Sequence, residues 1–205
     1  ALYYARLAQF HVTQAPLGLI RADRDWYNAL MVNAVRGAGI AFNNLGLPRD
    51  ALAKYDEAAQ LRQVKDDLAW WGQHLASDRF SATSKLPRFR ILDLQRLYDE
   101  TVQRSGSAMT ESVSIMMQTR LGNSYISAGN LVKASRLLEP LVDDVDRCTV
   151  LGSIHRVIFM STFTRLAVAR GDTSGVEYWH NRSKTLAHSA GLLHQERRLA
   201  LTLGP

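Results

Sequence analysis

One cysteine, Cys148, is all the chain has, so it cannot form an internal disulfide framework, and this scarcity suits a reducing, cytoplasmic compartment. No uncharged apolar run approaches the roughly 18 residues a membrane-spanning helix needs, and nothing reads as a secretory leader. The formal net charge is +6, yet it forms no basic tail or block, so it points only weakly to anionic partners. Strand-like alternation with hairpin signals is missing throughout. So are a Gly-x-Ser-x-Gly element, a phosphate-binding loop and a His-Glu-x-x-His pair, which leaves catalysis without a motif. The six histidines include no two that lie three or four apart, and none has a cysteine or carboxylate partner at ligand spacing, so neither a metal site nor a cofactor is expected. An initiating methionine is also missing before Ala1, as expected of a fragment or a processed product.

What remains is helix. The 205 residues are 46% hydrophobic and 21% charged, enough for one domain with a substantial core. Apolar residues recur at helical spacing in 1–14, in 26–45 after Asp23, and from Pro48 through Leu61. Asp66 or Asp67 either caps a fresh helix there or lies within one long helix running from 51 to 76. Residues 77–87, rich in Ser and Thr and closed by Pro87, read as a loop. Helices are expected over 88–106, 110–128, 131–144, 150–170, 173–190 and 192–203. The acidic run Asp143–Asp146, placed near the end of helix 131–144 where it opposes the dipole, is expected to be exposed in a turn.

Three stretches repeat one phrase. Gly46, Gly129 and Gly171 align as turn residues. Seven positions earlier stand Gly39, Gly122 and Thr164, and four earlier Phe42, Tyr125 and Ala167. Five positions after the turn stand Ala51, Ala134 and Val176, and nine after stand Tyr55, Leu138 and His180. Two antiparallel helices approach closely only where small residues meet, and large residues a turn away fill the space beside them. Gly129 and Gly171 are 42 residues apart and Gly46 and Gly129 are 83, so one degenerate hairpin belongs between the first two copies.

This order of small, aromatic, Gly, Ala, large and small residues resembles the tetratricopeptide repeat. The second copy (Leu121, Gly122, Tyr125, Gly129, Ala134) and the first (Gly39, Phe42, Gly46, Ala51, Tyr55, Ala58) carry the resemblance. The third departs at Thr164, Ala167 and His180. The period near 42 exceeds the family's standard of about 34 and is similar to that of sensor regions in large bacterial transcription regulators. The resemblance implies an all-α fold, a right-handed superhelix of antiparallel hairpins. It implies one repeat domain over 1–205, a segment cut from, or evolved as, a stack of about four and a half hairpins. It also implies a non-catalytic protein- or peptide-binding role, with the first helix of each hairpin lining a concave face. In peptide-binding members of that family, Asn and basic residues on this face hold the ligand. Here the matching candidates are Arg36, Asn44, Arg120, Asn123 and Arg165, without the lysines of that clamp, and helical spacing adds Asn33 to the same face. Asn amides pair with both peptide N–H and C=O groups, and Arg clamps a carboxylate with two prongs. The same face can equally be solvated or paired within the chain.

Two alternatives stand beside this one. Truncated stacks expose apolar end faces, so the chain can self-associate as a homo-oligomer. The segment Arg79–Arg90 interleaves Arg79, Lys85, Arg88 and Arg90 with Phe80 and Phe89, a mixture that can hold a phosphate backbone and stack bases, or simply solubilise a loop. Gly37-Ala-Gly39 reads as close helix packing, and Trp71 and Trp179 as core, with Trp70 a contact candidate.

Overall fold

The computed structural model describes residues 10, 24–61, 71–86, 90–105, 109–193 and 195–196. The helix expected over 1–14, the caps at Asp66 and Asp67, most of the helix expected over 192–203, and Trp70, Arg88 and Phe89 lie outside them. Among the described residues every regular element is an α-helix. They are α1 (Arg24–Asn44), α2 (Pro48–Gln60), α3 (Trp71–Thr83), α4 (Ile91–Ser105), α5 (Glu111–Ser127), α6 (Leu131–Leu138), α7 (Leu141–Arg147), α8 (Ser153–Arg170) and α9 (Thr173–Ser189). The chain divides into two compact units, Ala1–Thr110 and Glu111–Pro205.

In the first unit α1 and α2 form a hairpin. Its turn is fixed locally: Gly46 takes a left-handed φ of 76°, and the Leu47 amide donates back to the Phe42 carbonyl at 3.0 Å. Pro48 opens α2, where its missing N–H leaves nothing unpaired. The face of α2 that meets α1 carries Ala51, Tyr55 and Ala58, all fully buried. Val32 and Val35 of α1 and Leu75 and Ala82 of α3 complete that cluster. A Cβ on Gly39 would enter the Tyr55 ring, 2.7 Å from Cδ1, so the close approach of α1 and α2 depends on that glycine. At Gly37 a Cβ would meet nothing within 4 Å, so only half of the Gly37-Ala-Gly39 element is there for packing.

The long-helix alternative over 51–76 is excluded, because α2 stops at Gln60 and Leu61 is extended at φ −67°, ψ 135°. The loop expected over 77–87 is also corrected, since α3 continues through Thr83. Ser77, Phe80, Ser81 and Ala82 point inward, and burial outweighs the weak local preference of Ser and Thr for turns.

In the second unit α5 and α6 repeat the first hairpin. Gly129 turns at φ 73°, and the Asn130 side chain caps α6 by accepting from the Lys133 amide at 3.2 Å. The helix expected over 131–144 breaks at Pro140, which has no N–H for the helical ladder, and restarts as α7. The aspartates are thereby corrected from a turn after a helix to the body of one. Asp143 and Asp144 stand in the first turn of α7, where the dipole favours them, and Asp144 holds Arg147 at 2.7 Å.

The last hairpin pairs α8 with α9 across Gly171, and Asp172 caps α9 through the Gly175 amide at 2.9 Å. Its consensus positions are filled by Thr164, Ala167 and His180. Aromatic contact takes over from the small–large pair: Trp179 lies 4.6 Å from Phe163 and 6.5 Å from Phe159, ring centroid to ring centroid. Outside this cluster Arg182 reaches across to Asp146 of α7 with two contacts, 2.6 and 2.7 Å. No helix among the described residues is long and apolar enough to cross a membrane.

Candidate functional site

Within each unit the first helices of successive hairpins touch, α1 with α3 and α5 with α8. The six predicted binding residues sit on three of these four helices, and the structure treats them unequally. In the first unit Asn33 and Asn44 are exposed. Arg36 is not a waiting clamp. Its Nε donates to Asp78 of α3 at 2.5 Å, with both side chains only about one-fifth exposed (22% and 19%). Two turns further along α1, the Asn43 side chain donates to the Ser81 hydroxyl of α3 at 3.0 Å, and the Asn43 backbone carbonyl accepts from Lys85, just past α3, at 2.9 Å. These contacts fasten neighbouring hairpins together.

The second unit has a comparable clasp one turn nearer its turn glycine, with the cation on the later helix. Arg165 of α8 donates to the Asn123 side chain of α5 and, at 3.2 Å, to the Ser127 hydroxyl. Arg36–Asp78 and Asn123–Arg165 each join residues 42 apart in sequence. Arg36, Asn123 and Arg165 are therefore held within the chain by these bonds. Of the two arrangements open from the sequence, ligand-facing or paired within the chain, Asn123 and Arg165 adopt the paired one.

Such a bond is only partly screened, and it is worth about 1 kcal/mol at this exposure. Arg36→Met and Asp78→Asn should each lower stability by about that amount, with the double variant losing less than the sum. Chemical denaturation of the four proteins measures the coupling, and additive losses would show the contact to be energetically idle.

Arg120 lies half-buried in a shallow depression between α5 and α8, lined also by Ile115, Met116, Thr119, His155 and Ile158. The Thr119 hydroxyl is turned inward to the Ile115 carbonyl at 2.7 Å, so the rim is polar through Arg120 and His155 alone. Burial is the larger cause that holds the His155 imidazole below its ordinary range, and the positive charge of Arg120 adds to it. His155 escaped the sequence reading. It stands one turn before Ile158 on the face that continues through Thr162 and Arg165, and carrying that periodicity back one turn would have included it.

Among its described residues the segment Arg79–Arg90 does not form a common basic surface. Phe80 is fully buried, Arg79 pairs with Asp56 of α2 at 2.8 Å, Lys85 bonds the Asn43 carbonyl, and Arg90 pairs with Asp93 at 2.9 Å. The charges go to three separate partners, and the buried ring cannot stack on a base. Among the described residues no three His, Cys, Asp or Glu side chains converge as metal ligands would. Comparison with protein-family models, curated proteins and solved structures returns no match.

Proposed function

We propose that this chain is a non-catalytic helical-repeat module of tetratricopeptide type, which binds an extended peptide or protein segment on its first helices. The carrying observation is the recurrence of a first-helix to first-helix bond at a spacing of 42 residues in both units, Arg36–Asp78 and Asn123–Arg165. Contacts at a fixed sequence offset are what stacked hairpins produce, because each repeat meets its neighbour through equivalent positions. The same period supports a place in the sensor or interaction region of a larger cytoplasmic regulatory protein.

With Asn123 and Arg165 engaged in holding hairpins together, the ligand contacts fall to Met116, Arg120, His155 and Ile158. Apolar and polar side chains side by side offer a shallow contact against which an aliphatic side chain can rest with its backbone beside Arg120. Peptides selected from a displayed random library on the intact chain should lose roughly tenfold or more in affinity with Met116→Ala or Arg120→Ala, a larger loss than any change in stability accounts for. Asn123→Ala should instead lower the melting temperature. Peptide affinity that ignores Met116 and Arg120 would remove this site, and failure to select any binder would remove the reading.

A further inference from the structure

We infer that the contact between α5 and α8 is proton-gated: charging the His155 imidazole beside the Arg120 guanidinium releases the first turn of α8 from α5 and opens the depression between them. Three features converge on this ring. It is half-buried against Met116 and Ile158 in a depression with little room for water. It faces Arg120, whose field opposes a second positive charge. It is also the third residue of α8, an 18-residue helix, where the unpaired N–H groups of the helix start repel a cation. Only the positive charge of Arg120 is needed, and that charge remains whatever else the guanidinium touches.

No carboxylate among the described neighbours offsets the charge. The next residue, Arg156, is turned away to the carbonyls of Leu151 at 3.0 Å and Cys148 at 2.7 Å. On α7, Asp144 pairs with Arg147, Asp146 pairs with Arg182, and Asp143 is exposed. On α6, Lys133 lies over the Tyr125 ring, Arg136 is exposed and Glu139 holds Arg170. On α9, Lys184 is exposed and His188 pairs with Glu196. Protonation is therefore met by movement, and the simplest movement frees the first turn, which is held by backbone bonds from His155 and Arg156 to the Gly152 carbonyl at 2.9 and 3.2 Å.

The sign of the pH dependence follows from the direction of the shift. An imidazole held below its ordinary value of 6.5 takes a proton more readily in the open form than in the closed one. Closure is complete above about 6.5 and is lost progressively as pH falls from there through the lower midpoint of the closed form.

The test is hydrogen exchange on the intact chain, expressed as protection factors for the amides of residues 156–160, with the His155 ring titrated in parallel by NMR. Protection should fall by about tenfold per pH unit below 6.5 and level off near the ring's own midpoint, as one linked proton requires. His155→Gln should make protection independent of pH in this range. Arg120→Gln should raise the ring midpoint and shrink the loss. Flat protection through the titration of His155, or the same loss in His155→Gln, would overturn the gate. If a variant fails to fold, coincidence of ring titration and protection loss in the unaltered chain decides alone. No ligand enters the readout, so its failure is separate from failure of the peptide-binding reading.

Discussion

Tyr55→Ala is expected to remove about 3–5 kcal/mol from the first unit, the largest single loss we anticipate in this protein. The ring is fully buried, with Val32 and Val35 of α1 and Ala51 and Ala58 of α2 in the same cluster. Small residues on both helices bring the two backbones together here, so little side chain is available to collapse into the space a missing ring leaves. A loss of this size is a large part of the total stability of a typical domain, about 5–15 kcal/mol. Tyr55→Phe keeps the ring and should retain most of the stability. Urea unfolding followed by helical circular dichroism measures the loss, and hydrogen exchange over residues 24–61 locates it. A midpoint unchanged by Tyr55→Ala would refute the packing assigned to α1 and α2. Gly37 and Gly39 supply an internal control. Alanine at Gly39 drives a methyl into the Tyr55 ring, whereas alanine at Gly37 meets open space and should gain up to about 1 kcal/mol from backbone entropy.

What the sequence made legible was local. Turn glycines and Pro48 at a helix start act within a few residues, and each stands in the structure where its chemistry places it. The repeat displays Gly39 with Tyr55 and Gly122 with Leu138 at fixed offsets, yet the expectation that small residues meet small ones is corrected, because each glycine lies against a large side chain of its partner helix. Tertiary choices were not readable. Ser77 and Ser81 look like loop residues until α1 arrives to bury them. Thr164 and His180 look like a decayed repeat until Phe159, Phe163 and Trp179 are seen to do the same packing by other means. Pro140 is the exception, a local signal that a helix over 131–144 runs through and that the structure obeys.

The candidate site divides along the same line. Periodicity identified the face that carries Arg36, Asn123 and Arg165, but periodicity cannot say whether a face meets a ligand or the next hairpin. The offset of 42 was the available clue. On the face read from the sequence, Asn123 and Arg165 are one repeat apart, and so are Arg36 and the aspartate at 78. Opposite or complementary polar groups separated by one period are candidates for a clasp before they are candidates for binding. Arg120 has Thr162 at that offset, buried and bonded to the Ile158 carbonyl at 2.9 Å. Arg120 stays in the proposed site because it lines the depression with Met116, His155 and Ile158, which Asn123 does not.

Leu138→Ala is expected to cost the second unit about 2–5 kcal/mol, and Gly122→Ala about 1–3 kcal/mol, although the helix itself prefers alanine. A Cβ on Gly122 would stand 2.6 Å from Cγ and Cδ2 of Leu138 and 2.8 Å from Cδ1. All three branch atoms are hit, so rotating the leucine moves one clash into another. Leu138 is fully buried, which also closes the route into solvent. The two losses have opposite physical origins, overfilling and emptying of the same space. Combined, the new methyl of Gly122→Ala enters the void left by Leu138→Ala, so the double variant should lose less than the sum by about 0.5–3 kcal/mol. Four denaturation curves close the cycle. Strict additivity would mean that α5 and α6 do not meet through this pair, and the small–large logic that defines the repeat would fail at its best-matched copy.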